Sequence, residues 1–114
     1  MAMTDIQYAA CQKLKASGFM YCGKKKSKAS DIRLSRWRKD YMFEGVAIGH
    51  VTVLVNEDGL PATSSGNVVY PSLREYEEGL AYVAELHPMA IDEAICEMNA
   101  EFDADMKAAF FKEE

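Results

Sequence analysis

The chain has 114 residues, with 13 Lys+Arg against 18 Asp+Glu and a formal net charge of −5, the size of one compact domain spanning residues 1–114, since domains usually run to about 100–150 residues. Its 49% hydrophobic, 11% aromatic and 27% charged residues supply a core without staples, which excludes wholesale disorder. No apolar run reaches the roughly 18–20 residues of a membrane span. The N-terminus lacks the basic and apolar regions of a secretory signal, and Cys11, Cys22 and Cys96 are too irregularly spaced for a disulfide framework, so a cytoplasmic protein with reduced thiols is expected.

Thr4 followed by Gln7 reads as a capping box, and Ile6, Ala10 and Leu14 then share one helical face. With Lys13 and Lys15 near its C-terminal end and Gly18 as left-handed cap, a first helix is predicted over Asp5–Ser17. Phe19-Met20-Tyr21-Cys22 reads as a short strand closed by Gly23, and Lys24 to Ser30 as a solvated loop. Asp31 to Phe43 fits two patterns. Ile32 and Leu34 alternate with Arg33 and Ser35 as in a strand, while Leu34, Trp37 and Tyr41 are spaced as in a helix. A strand is preferred, because the basic loop then becomes a hairpin tip.

Val46–Val55 is the clearest strand, β-branched, with Gly49 marking a bulge or a close backbone contact. Asn56-Glu57-Asp58-Gly59 is a turn, and Leu60 to Ser65 a loop or irregular edge in which Pro61 cannot donate to a ladder. Asn67-Val68-Val69-Tyr70 suggests one more short strand, ended by Pro71. Ser72 to Glu75 reads as a second capping box, opening a helix with the stripe Leu73, Tyr76, Leu80, Val83 and His87. Gly79 inside that helix lets another element approach, and Pro88 fits the first turn of a last helix. Ile91, Ile95, Met98, Phe102, Met106 and Phe110 line this last helix opposite an acidic face. The predicted fold is α+β: an N-terminal helix, a three- to four-stranded antiparallel sheet and two C-terminal helices packed on one face.

The modest net charge hides a dipolar chain. Residues 1–41 hold ten basic and three acidic residues, a balance of +7; the remainder holds three basic and fifteen acidic ones, a balance of −12. Such asymmetry points to a charged partner, unless the halves neutralise each other within the fold or across a homodimer.

No catalytic set stands out. His50 and His87 are far apart, and no cysteine pair has zinc-site spacing. In the Val-rich strand His50 reads as a cross-strand or hydrogen-bonded residue, and His87 as a helix-end cap. Cys11 reads as a helical filler, and nothing resembles a nucleophile elbow or a phosphate-binding loop. The expectation is a protein that is not an enzyme and has no cofactor and no metal.

Two charged surfaces remain. The acidic one comprises Glu75, Glu78, Asp92, Glu93, Glu97, Glu101 and Asp105, carboxylates that can imitate phosphates and occupy a basic groove on another protein. The basic one comprises Lys24, Lys25, Lys26, Lys28, Arg33, Arg36, Arg38 and Lys39, with Trp37 and Tyr41 interleaved for base stacking. The element order resembles that of a double-stranded-RNA-binding domain, α-β-β-β-α, in order alone. The second helix of that family opens on a lysine cluster, whereas Ser72-Leu73-Arg74-Glu75-Tyr76-Glu77-Glu78 is acidic, and no function is carried over.

The leading expectation is a small non-catalytic inhibitor or adaptor of a nucleic-acid-handling or defence protein. It is similar in type to phage and mobile-element accessory proteins and has a protein partner and no membrane association. One alternative is a direct binder of single-stranded nucleic acid or RNA through residues 24–41. The other is a homo-oligomer that sequesters a small molecule in a pocket lined by Tyr21, Trp37 or Tyr70.

Overall fold

The computed structural model describes residues 3–26 and 33–111. The elements are α1 (Asp5–Ala16), β1 (Met20–Lys26), β2 (Arg33–Phe43), β3 (Val46–Val55), β4 (Pro61–Ala62), β5 (Arg74–Glu75), α2 (Glu77–Leu86) and α3 (Ile91–Phe110). This is the α+β arrangement that the sequence predicts: a helix, an antiparallel sheet with three long and two very short strands, then two helices.

Helix α1 is capped by Thr4, whose hydroxyl accepts from the Gln7 amide at 3.1 Å, and Gly18 follows it at φ +97°. Only half of the anticipated capping box forms. Gln7 is buried, and its side-chain amide donates to the carbonyls of Val55 and Arg33 at 3.1 and 3.2 Å. A buried primary amide must find acceptors where it lies, whereas the Thr4 backbone can turn to water.

The first strand runs past Cys22 through Gly23, at φ +104°, as far as Lys26. Lys24, Lys25 and Lys26 therefore pair with Ser35, Leu34 and Arg33 instead of opening a loop. Pairing takes only the backbone of an edge strand, and Lys24 keeps its side chain exposed. Ser27, Lys28, Ala29, Ser30, Asp31 and Ile32, and the readings placed on them, lie outside the described residues.

From Arg33 onward the ambiguous segment is a strand, and its register with β3 sets the two faces of the sheet. Trp37 lies opposite Val53, Lys39 opposite Val51 and Tyr41 opposite Gly49, on the side covered by helices. Arg36, Arg38 and Asp40 lie opposite Leu54, Thr52 and His50 on the other side. The register shifts next to Gly49, and a Cβ at this position would meet the Met98 sulfur and the Arg74 carbonyl, so both readings of this glycine hold.

Beyond β3 the turn forms as predicted, with the Asn56 side-chain oxygen accepting from the amides of Asp58 and Leu60 at 2.9 and 3.0 Å and Gly59 at φ +74°. Two expectations fail beyond it. Asn67–Tyr70 makes an isolated bridge, Ala62 with Val68, in place of a strand. The Ser72–Glu75 capping box is absent because Arg74 and Glu75 pair with His50 and Gly49 as β5; α2 starts at Glu77, with Tyr76 as an N-cap whose side chain makes no bond to the helix end. Ladder bonds to β3 satisfy this backbone, and the Tyr76 amide continues them to the Ile48 carbonyl at 2.9 Å.

The core joins Ala10, Cys11 and Leu14 of α1 to Trp37, Tyr41, Val51, Val53 and Val55 of the sheet and to Met98, Phe102 and Met106 of α3. The buried stripe of α3 also takes in Ala94 and Ala109, while Ile91, Ile95 and Phe110 are half-buried. Pro88 lies between the helices, ahead of the first turn of α3. Helix α2 meets β3 through Gly79, where a Cβ would overlap the Ala47 carbonyl. Replacing a mid-helix glycine by alanine ordinarily stabilises by about 1 kcal/mol. Here Gly79→Ala is expected to reverse that sign and cost about 2 kcal/mol through overpacking, read as a lower urea midpoint at unchanged m-value.

Candidate functional site

The acidic residues of α3 divide by helical phase. Asp92, Glu93, Glu97 and Glu101 are exposed, and the last three stand four apart in a single row; Glu75 and Glu78 are also exposed. Asp105 does not belong to this face. It is buried, with its carboxylate 2.7 Å from Lys39 Nζ and accepting from the Tyr41 hydroxyl at 2.9 Å.

Lys39 completes the knot. It points to the helix-covered side of β2, donates to the Ser17 carbonyl at the end of α1 at 2.7 Å, and lies 3.6 Å from Glu101 and 4.9 Å from the centre of the Tyr41 ring. Burial, and then the negative charge and hydrogen bond of Asp105, push the Tyr41 phenol far above its ordinary range. The sequence reading placed Lys39, Tyr41 and Asp105 on working surfaces; the fold uses all three internally.

On the basic segment, Lys24, Arg33 and Arg36 are exposed, and Lys25 is half-exposed. Arg36 donates to the Cys22 carbonyl at 3.1 Å. Arg38 reaches the Asp40 carboxylate at 3.2 Å and also the Tyr76 hydroxyl. The Lys26 side chain and Lys28 lie outside the described residues. Trp37 and Tyr41, expected to stack on bases, are 5% and 1% exposed. Trp37 donates to the Ser35 hydroxyl at 2.8 Å and packs against Tyr21 with ring centres 5.4 Å apart. Alternation along β2 sends these rings into the core and the arginines outward, so the interleaving visible in the sequence does not survive as one surface.

The two charged halves meet at few points. Among the described residues, Lys39 with Asp105 and Glu101 makes the only ion pairs between them; the others are Arg38 with Asp40 and His87 with Glu44, the latter at 3.0 Å. His87 thus reaches back to the β2–β3 turn, where Glu44 sits at φ +47°. Among the described residues no group of three or more His, Cys, Asp or Glu is gathered closely enough to hold a metal ion. Cys11 is buried, and Cys22 and Cys96 are exposed; all three are free thiols.

His50 acquires a neighbour that the sequence does not reveal. Its ring stacks on Tyr76, centres 4.5 Å apart at 19°, and its Nδ1 is buried without a hydrogen-bond partner. Tyr76 belongs to the apolar helix stripe by spacing, but its hydroxyl donates to Asp40 at 3.0 Å on the outer side of the sheet. The signal absent from the sequence is β5, a two-residue strand too short for any periodicity. Comparison of the chain with protein-family models, curated proteins and solved structures finds no match.

Removing one partner of a buried ion pair costs more than removing both. Asp105→Leu is expected to lower stability by about 3 kcal/mol, and Lys39→Met added to it to recover most of that loss, measured by chemical denaturation of the four proteins of the cycle. Because the Tyr41 phenol is raised in the folded state, the folded protein holds that proton to higher pH than the unfolded chain does. Stability therefore falls as pH rises above about 10. Tyr41→Phe should flatten that fall in melting profiles across alkaline pH.

Proposed function

We propose that this chain is a small non-catalytic interaction protein, an inhibitor or adaptor of the phage or mobile-element accessory type. Its exposed carboxylates on α2 and α3 engage a basic, nucleic-acid-handling or defence protein. One observation carries this reading: among the described residues, the acidic row on α3 is neutralised by its own chain only at Glu101, through Lys39. A rigid row at four-residue spacing presents its charge as a fixed field. Such a field accelerates encounter with a cationic groove and selects among partners more than it adds affinity.

Direct nucleic-acid binding through residues 24–41 is the weaker reading. It retains Lys24, Arg33 and Arg36 on the surface, but its two stacking residues are in the core, so only salt-sensitive, sequence-independent phosphate contact is left to it. With Glu93→Lys, Glu97→Lys and Glu101→Lys combined, a protein captured from bacterial lysate by the parent chain should no longer be captured. Association of the purified pair should slow at least about tenfold at low salt. Capture of the same proteins at the same rate by both forms overturns the reading, and so does submicromolar, salt-sensitive binding of oligonucleotides in an anisotropy titration that Arg33→Ala with Arg36→Ala abolishes.

A further inference from the structure

The outer edge of β3 is paired at both ends and open in the middle. β4 takes Leu54 and Val55, β5 takes Gly49 and His50, and neither strand pairs with Val51, Thr52 or Val53. On this edge the Asn56 amide donates to the Leu60 carbonyl at 2.9 Å. Backbone groups alternate sides along a strand, so the N–H and C=O of Thr52 point out of the same edge. Val69–Ser72 lines, together with this stretch of β3, a slot of about 290 Å³ that has Pro61 and Ala62 toward Leu54 and Arg74 toward His50. Three consecutive edge residues therefore have no partner in β4 or β5, and of these Thr52 is the one whose backbone groups face outward.

The slot is polarised. Cross-strand partners share a face, so Arg74 stands beside His50 on the side that also carries Thr52. Arg74 is exposed and, among the described residues, in no ion pair. Asp40, opposite His50 on β2, is already held by Arg38 and Tyr76. The other end is apolar, with Pro61, Ala62 and Val69. Tyr70 forms part of the wall, its ring set edge-on against Phe102 of α3 at 5.9 Å.

We propose that this slot binds the terminal acyl-amino-acid unit, a carboxylate next to a secondary amide, of an N-acylated amino acid or of a peptide C-terminus. Laid antiparallel to β3, as β4 and β5 are, the ligand residue donates its amide N–H to the Thr52 carbonyl and accepts the Thr52 N–H on one carboxylate oxygen. That orientation places the carboxylate at the Arg74 end, where the guanidinium supplies a charge-assisted contact. The acyl group then runs toward Pro61 and Ala62. The reverse orientation would set the carboxylate among apolar side chains. The volume lies at the small end of ligand pockets, which begin at about 300 Å³, and suits one residue with its acyl group.

The experiment is an amide-resolved NMR titration of the full chain with N-acetyl-leucine and with a short leucine-ending peptide, the peptide in free-acid and C-terminally amidated forms. Saturable shifts of the Thr52 amide and of neighbouring Val51 and Val53 are expected with both free carboxylates. Amidation, and separately Arg74→Gln, should each weaken binding at least about tenfold, the loss of roughly 1.4 kcal/mol. Arg74 is exposed, so the variant's own spectrum serves as the check on folding. Equal affinity for the two free acids assigns the site to the free small molecule, and tighter binding of the peptide assigns it to a chain terminus. No shift at Thr52 at millimolar ligand, shifts centred elsewhere, or affinity unchanged by amidation and by Arg74→Gln overturns the proposal.

Discussion

A single ammonium group ties three elements of this protein together, β2, α1 and α3. Lys39 occupies a core-facing position on the central strand β2, where an aliphatic residue would ordinarily stand, and it brings a charge that the interior cannot leave alone. The fold answers with the carboxylate of Asp105 from α3, the carbonyl of Ser17 at the end of α1, and the face of the Tyr41 ring. Each answer comes from a different element. Sliding α3 by one turn, or ending α1 one residue away, would leave the charge or a carbonyl unsatisfied. The interaction adds specificity of arrangement to a core whose bulk, from Leu14 to Met106, is apolar and tolerant of small shifts.

With that knot in place, the sheet has one side covered by α1 and α3 and one side carrying Arg36, Arg38, Asp40, Thr52 and His50. The charges sort by layer as a consequence. Exposed carboxylates gather on the outer face of α3 and around α2, while exposed cations gather on the β1–β2 hairpin. Seven of the basic residues stand on β1 and β2, and α2 and α3 carry nine of the acidic ones.

The edge of β3 follows from a different constraint. Pro61 has no amide to give, and the turn held by Asn56 brings it to the ladder for only two residues. The chain then leaves the edge and returns at Arg74, where Gly49 leaves room for both the Arg74 carbonyl and the Met98 side chain. The interval between these two touches is the open stretch at Thr52.

Much of the architecture was legible from local chemistry. The Thr4 cap and Gly18 bounded α1, β-branched residues marked Val46–Val55, Asn56 to Gly59 supplied the turn, and Gly79 announced a close approach. These features depend on neighbours in sequence, and a single chain displays them. Tertiary structure decided the rest. The burial of Trp37 and Tyr41, the removal of Asp105 from the acidic face, the stacking of His50 on Tyr76 and the pairing of Arg74 all rest on contacts between residues 16 to 66 positions apart. Spacing along the chain tells which residues share a face of one element. Which face turns to the core, and which distant group neutralises a buried charge, is settled only when the elements pack, because burial and charge pairing are properties of the assembled interior.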